Sequence, residues 1–113
     1  MNIERYSFGR VVVDGRIYVA DLIILPERVI PDWRRKEGHR LLPEDLAAVV
    51  AAAPQALVVG TGRWGMVKVP PETLAFLESR GIEVHIAPSG RAAETFNRLQ
   101  ETKRTAACLH LTC

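Results

Sequence analysis

Directly after an apolar run, Gly60-Thr61-Gly62-Arg63-Trp64-Gly65 spells G-x-G-x-x-G, the spacing that cradles a dinucleotide pyrophosphate. In that fingerprint a helix opens within the glycines and its N-terminus takes the phosphate charge. Here Gly65 is followed by MVKVPP, so no helix can begin before about Pro71. The acidic residue expected about 20 positions on could only be Glu78 or Glu83, one on a helix and one in a strand. Nicotinamide binding is therefore not expected, and without Gly-Lys-Ser/Thr after the glycines there is no P-loop. A second pattern starts at Ser89, where Ser89 and Gly90 open a helix whose free N–H groups and positive dipole end suit an anion, with Arg91 beside them. If the strands ending at Gly60 and Pro88 run parallel, both loops emerge at one sheet edge, the usual ligand position in α/β folds. The candidate ligand-binding residues are then Gly60, Thr61, Gly62, Arg63, Ser89, Gly90 and Arg91, and the ligand a small anion. Ser89 reads at least as well as an ordinary helix N-cap, worth about 1 kcal/mol.

Other catalytic parts are scarce. Cys108 and Cys113 stand five apart in AACLHLTC, a spacing that turns them to opposite faces of a strand, so no disulfide is expected. Cys108 and His110 could share a strand face, but two ligands fall short of the three or four that zinc requires. His39, His85 and His110 fall in a loop and two strands, with no nucleophile in a recognised context beside them. His85 is expected to face a helix or pack in the core. Glu44 and Asp45 are best explained as a helix start. No catalytic residue, metal or cofactor is nominated, and the balance leans away from an enzyme.

Net charge is +2, and the excess lies in residues 1–40, with eight Lys/Arg against six Asp/Glu. Within it PDWRRKEGHR holds Arg34, Arg35, Lys36 and Arg40 beside a single aromatic, Trp33. Nucleic-acid binding asks for a broader basic stripe with stacking aromatics, so none is expected. A solvated loop is the plainer reading, and Trp33, Arg34 and His39 are the candidate contacts for a protein partner.

These residues need elements to hold them. Val11–Val13 lead into Asp14-Gly15 and return through RIYVADLIIL, a β-hairpin with a type I′ turn. Pro26 to Leu41 reads as an ordered surface loop. Pro43 begins a helix through LAAVVAAA, apolar on nearly all sides and so expected to be largely covered, ending at Pro54. ALVVG and IEVHIAP read as buried strands, and AACLHL as a last strand. Helices are expected near Pro43 to Ala53, Pro71 to Arg80 and Gly90 to Thr102, the last with Ala92, Phe96 and Leu99 at helical spacing. Asn97 falls about two turns beyond Ser89 and need not reach the sheet edge. Strands alternating with helices define an α/β fold on a mixed, mainly parallel sheet, with the N-terminal hairpin added at one side.

At 113 residues, 48% hydrophobic and 25% charged, the chain is one domain's worth of globular protein, expected to span 1–113 without a linker. No apolar run approaches the ~18 residues that span a bilayer, so no membrane insertion is expected. MNIERYSFGR reads as neither a secretory signal nor an organelle presequence, which places the chain in the cytoplasm.

W-x5-H in WRRKEGH, GTG after VV, and S-x2-A-x3-F-N-x-L before AACLHLTC together resemble the Mth938-like family, also described as a domain of unknown function. The resemblance runs from Trp33 to Cys113 with a compatible hairpin before it. Ser89 stands where the family commonly has Thr, and Phe96 where it commonly has Tyr. The resemblance implies a compact three-layer fold with a central mixed sheet. It also implies a non-catalytic assembly or interaction role, since mitochondrial relatives are implicated in respiratory complex I assembly and an animal cytosolic branch in fat-cell differentiation. The alternative is a small-molecule or anion binder, or an enzyme, using the cleft at the GTG loop and the Ser89 helix start.

Overall fold

The computed structural model describes residues 1–113. The chain opens with β1 (Ile3–Ser7), β2 (Arg10–Val13) and β3 (Arg16–Tyr18), which form a three-stranded antiparallel sheet. Asp14 and Gly15, with φ of 50° and 77°, make the turn between β2 and β3, as Asp-Gly requires. The returning strand does not run through to Leu25. It breaks after Tyr18 and resumes as β4 (Leu22–Ile24) in a second sheet. The surface loop that follows holds a short further strand, β5 (Val29–Ile30), antiparallel to β4.

A 3-10 turn (Pro43–Leu46) runs into α1 (Ala47–Ala52), and β6 (Ala56–Thr61), α2 (Pro71–Glu78), β7 (Glu83–Ala87), α3 (Ser89–Leu99) and β8 (Thr105–His110) complete the chain. The second sheet has the order β5-β4-β8-β6-β7. β6 runs parallel to both β7 and β8, while β4 lies antiparallel to β8 and β5. The sheet is mixed, as expected, but not mainly parallel: β6 makes its two parallel pairs, and both pairs of β4 are antiparallel, because β4 enters from the hairpin and not through a helical crossover.

Alternation along β6 and β8 explains why both strands read as continuous apolar runs. Val58, Ala107 and Leu109 face one core with Ile3, Val11 and Val13 of the small sheet and Phe96 of α3. Leu57, Val59, Ala106 and Cys108 face another with Leu46, Val49 and Leu77 from the 3-10 turn, α1 and α2. Both faces are covered, so both registers of the strand are apolar. The molecule is therefore three layers deep, with the small sheet and α3 on one side of the large sheet and α1 and α2 on the other. The hairpin lies over a sheet face and shares its core.

α1 departs from expectation. Only Val49 is buried, while Ala47 and Ala51 are exposed, because alanines leave a helix little apolar surface that needs cover. It ends at Ala53 in the left-handed region (φ 50°), and Arg104 Nη2 donates to the freed Ala52 carbonyl at 2.9 Å. α3 is fastened to the small sheet by Asn97, whose Oδ1 accepts the Ile3 N–H (2.9 Å) and whose Nδ2 donates to the Ile3 carbonyl (2.7 Å).

Candidate functional site

The parallel strands β6 and β8 end side by side, and four loops gather there: the β1–β2 turn, the basic loop, the GTG loop and residues 111–113. The Leu111 carbonyl accepts from Gly9 N–H (2.8 Å) and the Tyr6 hydroxyl (2.9 Å). Arg63 N–H donates to the Thr112 carbonyl (2.7 Å) and Met66 N–H to the Cys113 carbonyl (3.2 Å). Lys68 N–H reaches the His39 carbonyl (2.9 Å), which joins the basic loop to the segment leaving the glycines.

Gly60 and Gly62 serve packing at this edge. A Cβ on Gly60 would lie 2.7 Å from Leu109 Cδ2 and 2.9 Å from Ser89 Oγ. Gly62 has φ +100°, and a Cβ there would lie 2.7 Å from His110 Cδ2 and 2.8 Å from the Cys113 backbone. Ser89 corrects the capping expectation: Pro88 occupies the N-cap and Ser89 is the first helical residue, with no side-chain cap bond. Its hydroxyl is fully buried, donates to the His110 carbonyl (2.5 Å) and accepts the Gly62 N–H (2.9 Å). Gly60, Thr61, Gly62 and Ser89 are buried, while Arg63, Gly90 and Arg91 are exposed, with Tyr6 beside Gly90. The two surface hollows of the molecule are lined by other residues.

Beneath the basic loop Arg35 and His110 meet Asp21, a residue that the sequence did not single out. Asp21, between β3 and β4, accepts at Oδ2 from His110 Nδ1 (2.7 Å) and Arg35 Nη1 (2.9 Å), and at Oδ1 from Leu111 N–H (2.9 Å). The Arg35 side chain is only 5% exposed; its Nε donates to the Gly38 carbonyl (2.9 Å) and its guanidinium lies 4.9 Å above the Trp33 ring. The carboxylate assigns the His110 proton to Nδ1, which leaves Nε2 as an acceptor facing Thr112 Oγ1 at 3.4 Å. Arg35 Nη2 stands 3.1 Å from Nδ1, while Nη1 of the same guanidinium bonds the Asp21 carboxylate. Carboxylate, imidazole and hydroxyl stand in the order of a proton relay. The nearby backbone donors of Gly62 and Arg63, however, are already committed to Ser89 and Thr112. The group acts as a pin that holds the basic loop, β4 and the chain's last residues together.

Asp45 works in parallel. Its carboxylate accepts Leu42 N–H (2.8 Å) and Lys36 N–H (2.9 Å), and its carbonyl accepts the Trp33 indole N–H (3.0 Å). Trp33 is thus a half-buried anchor, while Arg34 and His39 remain exposed. His39 stacks edge-on against His110, ring centroids 5.7 Å apart. His85 lies on edge strand β7 on the α3 side of the sheet, with Val58 and Ala87, and so faces a helix as expected; the place of the strand at the sheet margin leaves it about one-third exposed, and it bonds Glu83 at 2.5 Å. Burial pushes the Tyr6 phenol up, opposed by Arg63 and reinforced by Asp21. Burial also pushes the Cys108 thiol up to about 12. Both cysteines are unpaired, and no three His, Cys, Asp or Glu side chains are grouped so as to hold a metal ion.

On the outside of this edge stand three large apolar side chains. Phe8 (49% exposed), Trp64 (66%) and Met66 (46%) come from the β1–β2 turn and the GTG loop, and the Phe8 and Trp64 rings pack at 5.5 Å. Trp64 and Met66 following GTG were the available signal; Phe8 joins them only through the tail that both loops grip.

Fold and site define a small three-layer α/β protein whose sheet edge is tied shut from within and apolar outside. The chain matches, over residues 3–110, the family described as a protein of unknown function (DUF498/DUF598). It belongs to that family, the Mth938-like proteins. It is 30% identical over 112 residues to the Xenopus tropicalis protein named NADH dehydrogenase [ubiquinone] 1 alpha subcomplex assembly factor 3, covering 96% of this chain but 60% of that protein. A conserved hypothetical protein of Pyrococcus horikoshii OT3 is 32% identical and superposes with a TM-score of 0.87, each chain covered completely. A Mth938-like domain of Bordetella pertussis, 22% identical, shares the fold with a TM-score of 0.67 over 97% of this chain and 85% of its own. No helix is long and apolar enough to cross a membrane.

Proposed function

We propose that the chain is an assembly-type factor that holds a protein partner against the edge where β6 and β8 end. The observation that carries this reading is the exposed Phe8–Trp64 pair with Met66 beside it. Apolar side chains clustered in solvent on a rigid frame are characteristic of docking surfaces, and tryptophan is the residue most enriched among those that dominate binding energy. Arg63 and Lys68, exposed, flank Trp64 and Met66 in the chain, and Lys68 N–H donates to the carbonyl of the exposed His39, so the surface suits a partner with apolar anchors inside an acidic rim. Arg34, exposed on the pinned loop, extends the cationic side. The assembly factor named among the relatives supports the class of role.

The test is affinity capture from native cells with the intact chain and with Trp64→Ala, Arg63→Glu and Arg91→Ala. Recovery of a defined partner that Trp64→Ala and Arg63→Glu abolish, and Arg91→Ala leaves intact, is the expected result. A metabolite or phosphate that raises the melting temperature through Arg91, with no partner recovered, would reverse the reading in favour of a ligand site at Ser89–Arg91.

A further inference from the structure

At the far side of the small sheet, β3 pairs with β2 alone, Val11 with Tyr18, Val12 with Ile17 and Val13 with Arg16. Its other side is an open edge. Such edges are normally blunted by short length, inward-pointing charge, proline, lysine, a bulge or a covering loop, because unpaired N–H and C=O groups template a further strand. This one is short, at three residues, and turns Arg16 inward, but it carries no proline, lysine or bulge and shows Ile17, 54% exposed, and just past it Val19, 75% exposed.

The pairing places Val13, Arg16 and Tyr18 on the inner face of the strand and Ile17 on the outer. Below the inner face opens a hollow of about 400 Å3, bounded by Met1, Val13 and Tyr18 on one side and by Val29 of β5, the outer strand of the large sheet, on the other. Arg16 and Arg28 line it, and neither takes part in an ion pair. The one carboxylate lining it, Asp14, accepts the Asn2 N–H at 2.8 Å, and the nearby Glu4 accepts the Gly15 N–H, so both are engaged in the turn.

We propose that the β3 edge docks an extended segment of a partner polypeptide in which acidic and apolar residues alternate. Such a segment adds a fourth strand through main-chain hydrogen bonds, the mode in which edge strands capture peptides. With a period of two, its carboxylates fall on the inner face against Arg16 and Arg28 while its apolar side chains cover Ile17 and Val19. A second copy of the chain fits less well. It would bring a second Arg16 and Arg28 against the first pair, two arginines from each copy to one lining carboxylate, Asp14, and like charges facing across strands are destabilising. The inference rests on the chain being a protein-docking factor, but it uses a surface on a different sheet edge from the Phe8–Trp64 cluster.

The experiment titrates the full chain with a capped eight-residue peptide alternating Val and Glu, and with its Val and Lys counterpart, reading backbone amide shifts and amide exchange by NMR. The Glu peptide is expected to shift the amides from Arg16 to Val19, to protect those of Ile17 and Val19, which point away from β2, and to bind at least about tenfold more tightly than the Lys peptide. In the double variant Arg16→Glu, Arg28→Glu the order of the two peptides should invert. Trp64→Ala should leave the titration unchanged, so loss of partner capture by that variant and loss of this binding are separate results. Equal binding of both peptides, no binding of the Glu peptide by about 1 mM, shifts centred on Phe8 and Trp64, or a dimer that protects β3 without peptide would each overturn the inference.

Discussion

Ser89 and Gly62 are joined twice: Gly62 N–H donates to Ser89 Oγ at 2.9 Å, and Ser89 N–H donates to the Gly62 carbonyl at 3.1 Å. The same hydroxyl then donates to the His110 carbonyl, so one buried side chain couples the start of α3 to the ends of β6 and β8. This arrangement explains a Gly-Thr-Gly that resembles a phosphate loop. The glycines make room for a serine and a histidine of the same protein.

Ser89→Ala leaves a buried N–H and a buried carbonyl each short of a partner, which costs about 1–3 kcal/mol. Urea unfolding should show that loss in the midpoint with the slope unchanged. An unaltered midpoint would mean that water replaces the hydroxyl.

At Gly62, φ of +100° and the nearness of the Cys113 backbone act together. Gly62→Ala is expected to destabilise by about 2 kcal/mol or more and to shift the amide signals of residues 110–113. Gly15→Ala, with φ of 77° but open space for a Cβ, should cost less, since only the backbone conformation opposes it.

Removing one member of the Asp21–Arg35 pair strands the other with little water around it. Asp21→Leu or Arg35→Met should each cost about 3–5 kcal/mol, while the double variant carrying both should cost clearly less than their sum, the His110 and Leu111 donors still being left without the carboxylate. Thermal unfolding of all four proteins supplies the comparison, and additive losses would argue against a coupled pin.

Cys108 sets an alkaline limit. Its thiol is held up at about 12 in the folded chain against 9.0 for an unburied thiol, so above pH 9 the unfolded chain loses a proton that the folded chain keeps. The stability is whole below that pH and falls by up to about 1.4 kcal/mol per pH unit as pH rises toward 12. Cys108→Ala should flatten that part of the profile. At pH 8 iodoacetamide should modify Cys113 in the native chain and reach Cys108 only on unfolding, as mass spectrometry of the two peptides would show.

Much of the architecture was legible in local chemistry. Asp14-Gly15 demanded a turn, Pro43 and Pro71 opened helical segments, and the doubly apolar runs of β6 and β8 announced strands covered on both faces. Those features depend on neighbours in sequence, through φ preference, a missing N–H or the alternation of side chains. The same logic erred where cover was at issue: Ala47 and Ala51 of α1 stand in solvent. Burial depends on which strand ends up outermost and on what packs above it.

The sequence by itself determined the Asp14-Gly15 turn, the helical segments opened by Pro43 and Pro71, and the alternation of β6, α2, β7, α3 and β8, because each rests on neighbours in the chain. Only the tertiary structure decided what the singled-out residues do. Asp21 and His110 are 89 positions apart and meet at 2.7 Å because β4 pairs with β8. Ser89 faces inward because β6 and β8 end beside the first turn of α3, and Phe8 meets Trp64 because both loops grip the same last residues. Such contacts join segments far apart in the chain, and no local preference of a residue encodes which distant partner it meets.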